Sequence, residues 1–223
     1  MEAARVPPNP IALLDWRRHV AALYRRVRDN PDPAAAHEEW RIGRDLLLRT
    51  HDESPIPPDE RTAFAGAAVA DYDASLRFDA HFDRDVEPRS FAVDTGSDGT
   101  VRFERVGVAR LGELGSLDVW WLTQYGGGLF VPVKDALAGS QTYGGGRYII
   151  DTVKGADLGS SGDRLLLDLN FAYNPSCAYD PSWACPLAPP GNVLRVPVLA
   201  GELMPPGSLG PDGYKVSGTS SSP

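Results

Sequence analysis

The chain has 223 residues, of which 42% are hydrophobic and 23% charged, a composition typical of a globular protein with a sizeable core. A formal net charge of -8 and a pI near 5.0 argue against a nucleic-acid partner, because phosphate binding needs clustered lysine and arginine. The sequence has no apolar run of about 18 residues and no basic stretch followed by an apolar one. We therefore expect no membrane partner and no signal peptide, and we predict a cytoplasmic location.

The first 65 residues predict a helical hairpin that belongs to the same domain as the rest of the chain. Asn9 and Pro10 are typical of a helix start, and apolar residues then recur every three or four positions up to Asn30. The pattern predicts a second helix over residues 33–50, with an apolar face formed by Trp40, Leu46, Leu47 and Leu48. A short polar break separates the helices, so we expect them to be antiparallel.

The pattern of residues 66–204 predicts a series of β-strands. Eight short runs rich in branched and aromatic residues are separated by Gly, Pro, Asp and Ser: LRFDAHFD, RSFAVDT, TVRFERVGVARL, LDVWWLTQY, GLFVPVKD, GRYIIDTV, RLLLDLNFAY and NVLRVPVLAGE. Hairpin turns are predicted at residues 97–99 and 138–139. The pattern favours an α+β fold, with the hairpin packed on an antiparallel β-sandwich or partly open β-barrel. Residues 205–223 predict a flexible tail.

Two triple-glycine runs, YGGGLF from Tyr125 and TYGGGRY from Thr142, both precede strand-like sequence. A phosphate-binding loop would need a helix after the glycines, so hairpin turns or the close approach of another segment or a ligand are favoured. Arg147 follows the second run on a strand predicted to point inward. A buried guanidinium must be paired, either with an internal carboxylate such as Asp168 or Glu202 or with an acidic substrate.

Polar residues end the apolar run LLLDLNF. Period-two alternation places Asp168 and Asn170 on one strand face, and Tyr173 and Asn174 follow. Inward-facing polar groups need partners or a ligand, because an unsatisfied one costs about 1–3 kcal/mol. Two interpretations stay open: Asp168 as a general base, or a hydrogen-bonded pair that fixes the following loop.

The segment NFAYNPSCAYDPSWACPLAPPGN, residues 170–192, predicts an ordered loop that closes one end of the sheet. It contains both cysteines of the chain, Cys177 and Cys185, eight positions apart. No histidine pair lies near them in sequence, so we predict no metal site, and a disulfide is disfavoured in the cytoplasm. The two thiols are either small buried side chains or candidates for a reactive thiol, which requires a base or a positive potential nearby.

Two histidines have candidate roles. His51 ends the second predicted helix and could line a cleft between the hairpin and the sheet, although no Gly-x-Ser-x-Gly turn supports a catalytic triad. His81 shares a strand face with Asp79 and Asp83, which predicts either a metal face or an exposed polar face.

The motifs TYGGGRYIIDTVKG, LDLNFAYNPSCAYDPSWACPLAPPGN and VPVLAGE together resemble the bacterial and archaeal family called domain of unknown function 1684. The resemblance extends from the helix of Trp16 and HDESPIP to Glu202. The family name implies no activity. Some members look secreted, and in those the equivalents of Cys177 and Cys185 could be bridged. The family pattern usually has Glu before the asparagine of Pro-Pro-x-Asn, where this chain has Gly191.

The resemblance nominates twelve positions without separating structural from chemical roles: Tyr143, Gly144, Gly145, Gly146, Arg147, Asp168, Asn170, Tyr173, Asn174, Cys177, Cys185 and Asn192.

We therefore predict a small-molecule site between the sheet and the 170–192 loop, for an anionic or carboxylate-bearing ligand. If the protein is an enzyme, the residue set suits a cofactor-independent hydrolase or lyase, with catalytic roles for Asp168, Asn170 and Tyr143. The predicted substrate-binding residues are Arg147, Tyr173, Asn174, Asn192 and His51. The alternatives are a non-catalytic binding or protein-interaction module with a structural polar cluster, and a cysteine-dependent hydrolase. The sequence leaves the oligomeric state open.

Overall fold

The structure is a computed structural model that describes residues 9–94 and 99–205. It combines two N-terminal helices with one curled antiparallel sheet that forms a half-barrel, which confirms the predicted α+β class. Within the described ranges, no helix has both the length and the apolar character needed to cross a membrane.

The helical hairpin consists of α1 (Pro10–Asp29) and α2 (Pro33–Thr50). Each helix begins with a polar cap followed by proline. The Asn9 side chain accepts the N–H of Ile11 at 3.1 Å, and Asp32 Oδ1 accepts the N–H of Ala34 at 2.9 Å. These bonds satisfy N–H groups that have no partner inside the helix, which is why the sequence marks both starts clearly.

The described part of the chain contains eight strands, all paired antiparallel: β1 (Arg77–Asp83), β2 (Ser90–Asp94), β3 (Thr100–Arg110), β4 (Ser116–Leu122), β5 (Gly128–Val133), β6 (Arg147–Asp151), β7 (Ser160–Ser161) and β8 (Arg164–Asp168). Their order is β6-β5-β4-β3-β1-β8-β7, and β2 pairs with β3 beside this path.

The sheet curls far enough for its two ends to meet. Tyr148 of β6 and Tyr173, just after β8, form an antiparallel bridge in which each backbone N–H donates to the other carbonyl, at 2.8 and 2.9 Å. This bridge brings the start of the 170–192 loop against β6.

Successive side chains along each strand point to opposite faces of the sheet, and a hydrophobic core lies on each face. Val119 and Ile149 belong to one core, which the C-terminal segment covers with Leu194, Val198 and Ala200. Their neighbours Trp120 and Tyr148 point to the other core, which the helices cover with Val20, Leu23, Tyr24, Val27 and Trp40. The second core therefore joins the hairpin to the sheet.

Seven of the eight predicted strand runs contain an observed strand. The eighth prediction, over residues 192–202, was wrong: this segment forms only isolated bridges, through Val193 and Glu202. Pro197 lies in its middle, and a proline cannot donate to a ladder. Its buried side chains still pack on the sheet, which is why its apolar pattern resembled a strand.

Smaller differences between the predicted and the observed elements concern one residue and one strand. Leu46, predicted on the apolar face of α2, is exposed, whereas Trp40 and Leu48 are fully buried. The two-residue β7 was not predicted. The predicted turn at residues 97–99 falls mostly outside the described residues, as does the predicted tail from residue 206 onward.

Candidate functional site

A cavity of about 530 Å³ lies between α1, the sheet and the 170–192 loop. This volume is in the range of small-molecule sites. Its walls are mainly apolar and combine side chains from all three parts of the fold: Leu13, Trp16, Val20, Val101, Phe103, Leu122, Phe130, Val153, Trp183, Ala184 and Pro186.

Lys154 and Asp151 form a charged pair in the cavity wall, which contains other polar and charged residues as well. Asp151 ends β6, and Lys154 lies three residues later in a short 3-10 turn, so both side chains reach the same side. Lys154 Nζ is 3.1 Å from Asp151 Oδ2, and the Tyr173 hydroxyl donates to the same oxygen at 3.4 Å. Burial lowers the pKa of Lys154, but Asp151 and Cys185 together raise it by more, so the net shift is upward. Lys154 is therefore an ammonium group at neutral pH.

Arg44 and Glu202 form a buried ion pair beside this group, and Arg44 also lines the cavity. The Arg44 Cζ lies 4.7 Å from the centroid of the Tyr173 ring, and Nη2 donates to the Asn174 carbonyl at 3.3 Å. Glu202 in turn accepts the Asn174 N–H at 2.7 Å and the Tyr179 hydroxyl at 3.0 Å. The predicted residues Tyr173 and Asn174 both lie on the cavity wall, held there by this pair.

Arg147 lies outside the cavity wall and is fully buried. The predicted internal ion pair exists, but its partner was wrong: Arg147 Nη2 donates to Asp135 Oδ2 at 2.9 Å, not to the carboxylate of Asp168 or Glu202. The guanidinium also donates to three backbone carbonyls of the 198–202 segment. These contacts make Arg147 the anchor of the C-terminal segment.

Asp168 and Asn170 are fully buried and bonded to each other, with 2.7 Å between Asn170 Nδ2 and Asp168 Oδ1. Asp168 also accepts from Arg77 Nη1 at 3.0 Å and from the Tyr72 hydroxyl at 3.4 Å. Asn170 exchanges two hydrogen bonds of 2.8 Å with the backbone of Asp73. Neither residue lines the cavity. A general-base role for Asp168 stays a prediction, and all of these contacts are internal.

Asn192 holds the other end of the loop and is also fully buried. Its Oδ1 accepts the Trp120 Nε1–H at 2.7 Å, and its Nδ2 donates to the carbonyls of Asp118 and Pro132, both at 2.8 Å. Asn192 does not reach the cavity wall.

The two cysteines are free thiols joined by a hydrogen bond from a backbone N–H to a sulfur. The Cys177 N–H donates to Cys185 Sγ at 3.4 Å, and the Tyr143 hydroxyl lies 3.6 Å from Cys177 Sγ. Cys185 lines the cavity, whereas Cys177 and Tyr143 do not. Burial and the contact with Cys177 raise the pKa of Tyr143, so its hydroxyl stays protonated.

A family model described as "Protein of unknown function (DUF1684)" matches residues 62–203. The chain belongs to this family. It is similar to an uncharacterised protein of Haloarcula marismortui solved by solution NMR, with 38% sequence identity and a TM-score of 0.53; the match covers 73% of this chain and 89% of that one. No curated protein matches the chain.

Gly191 stands where the DUF1684 resemblance expects a glutamate. A Cβ at this position would lie 1.9 Å from Asp118 Oδ2, so the Asp118 carboxylate occupies the space that a side chain would take. Asp118 is itself held by Arg105, with 3.2 Å between Arg105 Nη1 and Asp118 Oδ1. The carboxylate beside Gly191 therefore belongs to β4.

His51 packs behind the cavity wall. Its ring centroid is 5.2 Å from that of Trp16, which lines the cavity, and its Nε2 is 3.3 Å from Asp15 Oδ2. His19 Nδ1 is also 3.3 Å from this oxygen, so the three residues bring potential metal-ligand atoms together, a grouping that sequence spacing did not predict. His19 and Asp15 are exposed, and such surface groups are common without a metal.

The strand face of His81 is an exposed polar face. Each of its three predicted members has a polar partner: His81 Nε2 lies 3.1 Å from Asp163 Oδ2, Asp79 pairs with Arg164 and Asp83 pairs with Arg110.

Arg44, Asp151 and Lys154 were not among the predicted site residues, although Asp151 and Lys154 lie within the motif TYGGGRYIIDTVKG. Arg44 carried a signal, since it lies four positions from both Trp40 and Leu48 and is thus a lone charge on the buried face of α2. Asp151 and Lys154 gave a weaker signal, because they are two opposite charges three residues apart at the end of a buried strand. Their meeting with α1 across the cavity depends on long-range packing that no local pattern shows.

Proposed function

We propose that the cavity binds a small molecule with an apolar body and one anionic, oxygen-bearing group such as a carboxylate. The supporting observation is the cavity of about 530 Å³, whose mainly apolar walls include a lysine with unused hydrogen-bonding capacity. The aromatic and branched side chains would take the apolar body, because burying them against it removes apolar surface from water.

Lys154 takes the anchoring role that the sequence suggested for Arg147. An ammonium group has three N–H donors, and the described contacts of Lys154 are one carboxylate, Asp151, and the ring of Tyr148. Its side chain is 41% exposed although protein surrounds it, because it faces the cavity. Arg44 is a weaker candidate because Glu202 and the Asn174 carbonyl already use its donors.

The alternative of a non-catalytic module gains support from one observation. Arg147, Asp168, Asn170 and Asn192 all find internal partners, so the polar cluster of the motifs orders the fold around the cavity. We therefore propose binding at the cavity first. Hydrolase or lyase chemistry, with Asp168, Asn170 and Tyr143 as catalytic residues, stays a prediction for a separate activity screen.

Two matched probes test the binding proposal, phenylbutyrate and phenylbutanol, which share an apolar body and differ in charge. Trp16 and Trp183 line the cavity, so binding should change tryptophan fluorescence. We expect the carboxylate to bind about tenfold more tightly than the alcohol, as one charge-assisted hydrogen bond gives. Lys154→Met should remove this difference, whereas Lys134→Met, which changes a lysine away from the cavity wall, should retain it.

Val20→Trp provides the second control, because a larger ring in the wall should fill the space and prevent binding of both probes. If neither probe changes the fluorescence or the thermal unfolding of the wild-type protein, the proposal is wrong and the interaction module is favoured.

A further inference from the structure

The paired thiols lie where the cavity meets the 170–192 loop. Cys185 Sγ accepts a backbone N–H from Cys177 and faces the cavity. Cys177 is not part of the wall and has the Tyr143 hydroxyl 3.4 Å from its carbonyl oxygen and 3.6 Å from its sulfur. One thiol is therefore presented to a ligand, and the other is held directly behind it.

Local charges distinguish the two sulfurs. A hydrogen bond from the Cys177 thiol lowers the pKa of Cys185; burial opposes this, and Lys154 and the N–H groups of Cys177 and Ser176 add to it, so that the pKa falls to about 6. The bond to Cys185, together with burial, raises the pKa of Cys177. At neutral pH the pair thus carries one negative charge, on the sulfur that faces the cavity.

We propose that Cys185 is the attacking thiolate and Cys177 the resolving thiol of a redox pair that reduces an organic hydroperoxide bound in the cavity. This inference rests on the proposed function, since the substrate would occupy the same cavity and its leaving oxygen would take the anionic position beside Lys154.

The residues around Cys185 suit oxidation better than hydrolysis. Hydrolysing a thioester would require a base to activate water, and none of the four histidines, all within the described ranges, lines the cavity. A second thiol in contact instead supplies what a two-electron oxidation of sulfur needs. A hydroperoxide is favoured over a disulfide substrate because an alkoxide is a strong base that leaves readily only when protonated, and Lys154 is a nearby acid.

The proposed reaction converts ROOH and the two thiols into ROH, water and a disulfide. The Cys185 thiolate attacks the terminal oxygen of ROOH, an S–O bond forms, the O–O bond breaks, and the alkoxide takes a proton from Lys154 to leave as ROH. The Cys177 thiol then attacks the resulting sulfenic acid, an S–S bond forms, the S–O bond breaks, and the hydroxide leaves with the Cys177 proton as water. The thiol pair loses two electrons and the peroxide gains them. Solvent reprotonates Lys154, and an external dithiol reduces the disulfide.

The test uses the reduced full-length protein with cumene hydroperoxide, with hydrogen peroxide and, as an unreactive control, with cumyl alcohol, the product of cumene hydroperoxide reduction. Peptide mapping should show a Cys177–Cys185 disulfide after one equivalent of cumene hydroperoxide, formed faster than with hydrogen peroxide. Cys185→Ser should abolish peroxide consumption. Cys177→Ser should consume one equivalent and leave a sulfenic acid that dimedone traps. Lys154→Met should slow the cumene hydroperoxide reaction about 100-fold.

The pH dependence of alkylation by iodoacetamide checks the thiolate separately. Wild-type Cys185 should react half-maximally near pH 6, and Lys154→Met should move this point upward. Each cysteine variant should also give the same circular dichroism spectrum as the wild-type protein. Such a match would show that a loss of reactivity is not caused by a loss of folding.

Three results would overturn the inference: peroxide consumption by Cys185→Ser, a Cys185 that reacts no faster than free cysteine, or a Val20→Trp variant that reacts as fast as wild type. Binding of phenylbutyrate separates the two proposals. If phenylbutyrate binds and no peroxide is consumed, the redox pair is wrong and the binding site stands; if neither phenylbutyrate nor phenylbutanol binds, the binding site fails as well.

Discussion

At the scale of single residues, the ion pairs of this protein differ mainly in burial. The side chains of Arg147 and Asp135 are each 1% exposed, whereas those of Arg164 and Asp79 are 44% and 66% exposed. An exposed pair contributes about 0–1 kcal/mol, because water already solvates both charges. Breaking a buried pair costs more, because it leaves a desolvated charge without a partner.

Asp135→Asn should therefore lower the free energy of unfolding by about 3–5 kcal/mol, since Arg147 stays buried without its carboxylate. Asp79→Asn is the matched control and should cost less than about 1 kcal/mol. Urea titrations followed by circular dichroism measure both changes. Equal effects of the two substitutions would show that burial of the Arg147 pair has no bearing on stability.

At the scale of elements, the 170–192 loop is ordered without regular backbone pairing. Hydrogen bonds fix its two ends, through Asp168 and Asn170 at the entrance and Asn192 at the exit. The Tyr148 hydroxyl donates to the Pro186 carbonyl at 2.7 Å and holds the middle. Its prolines restrict the unfolded chain, so ordering the loop loses less entropy. The loop is thus stiff enough to hold Cys185 at the cavity wall.

Asn192→Ala should loosen the exit of this loop, because it leaves the Trp120 N–H and two carbonyls without a partner. We expect a loss of about 1–3 kcal/mol in the free energy of unfolding. Hydrogen exchange should increase in residues 183–192 and stay unchanged in α2. Ser182→Ala, at an exposed position of the same loop, should change neither quantity. Unchanged exchange in Asn192→Ala would mean that the prolines alone order the segment.

At the scale of the whole molecule, the sequence predicted what depends on local periodicity. The cap at Asn9 and the repeat of apolar residues predicted the two helices, and alternation predicted seven strands. The remaining features depend on contacts between residues that are far apart in the sequence, so the sequence did not predict them. The pairing of Arg147 with Asp135 joins β6 to the segment that follows β5, and the cavity combines α1, the sheet and the 170–192 loop. No spacing in the sequence shows that Lys154 and Cys185 line the same cavity.

The hairpin and the sheet meet at His37 of α2, which is 5% exposed. Its ring lies 5.6 Å from Trp40 of the same helix and 5.4 Å from Phe171, which follows β8. Tyr72 completes the surroundings at 5.7 Å. Burial lowers the pKa of His37, more than the carboxylates of Asp168 and Glu38 raise it. The neutral imidazole is therefore the form that docks the hairpin.

Stability should consequently fall in mild acid. The unfolded chain takes up a proton at His37 near pH 6.5, whereas the folded protein does so only at lower pH, so protonation favours unfolding as the pH drops below about 6.5. Each unit between the two pKa values corresponds to about 1.4 kcal/mol. Urea unfolding at a series of pH values between about 7.5 and 5 should show a shallower dependence for His37→Phe than for wild type. His81→Gln, which changes an exposed histidine, should follow the wild type; parallel curves for all three proteins would exclude His37 as the cause.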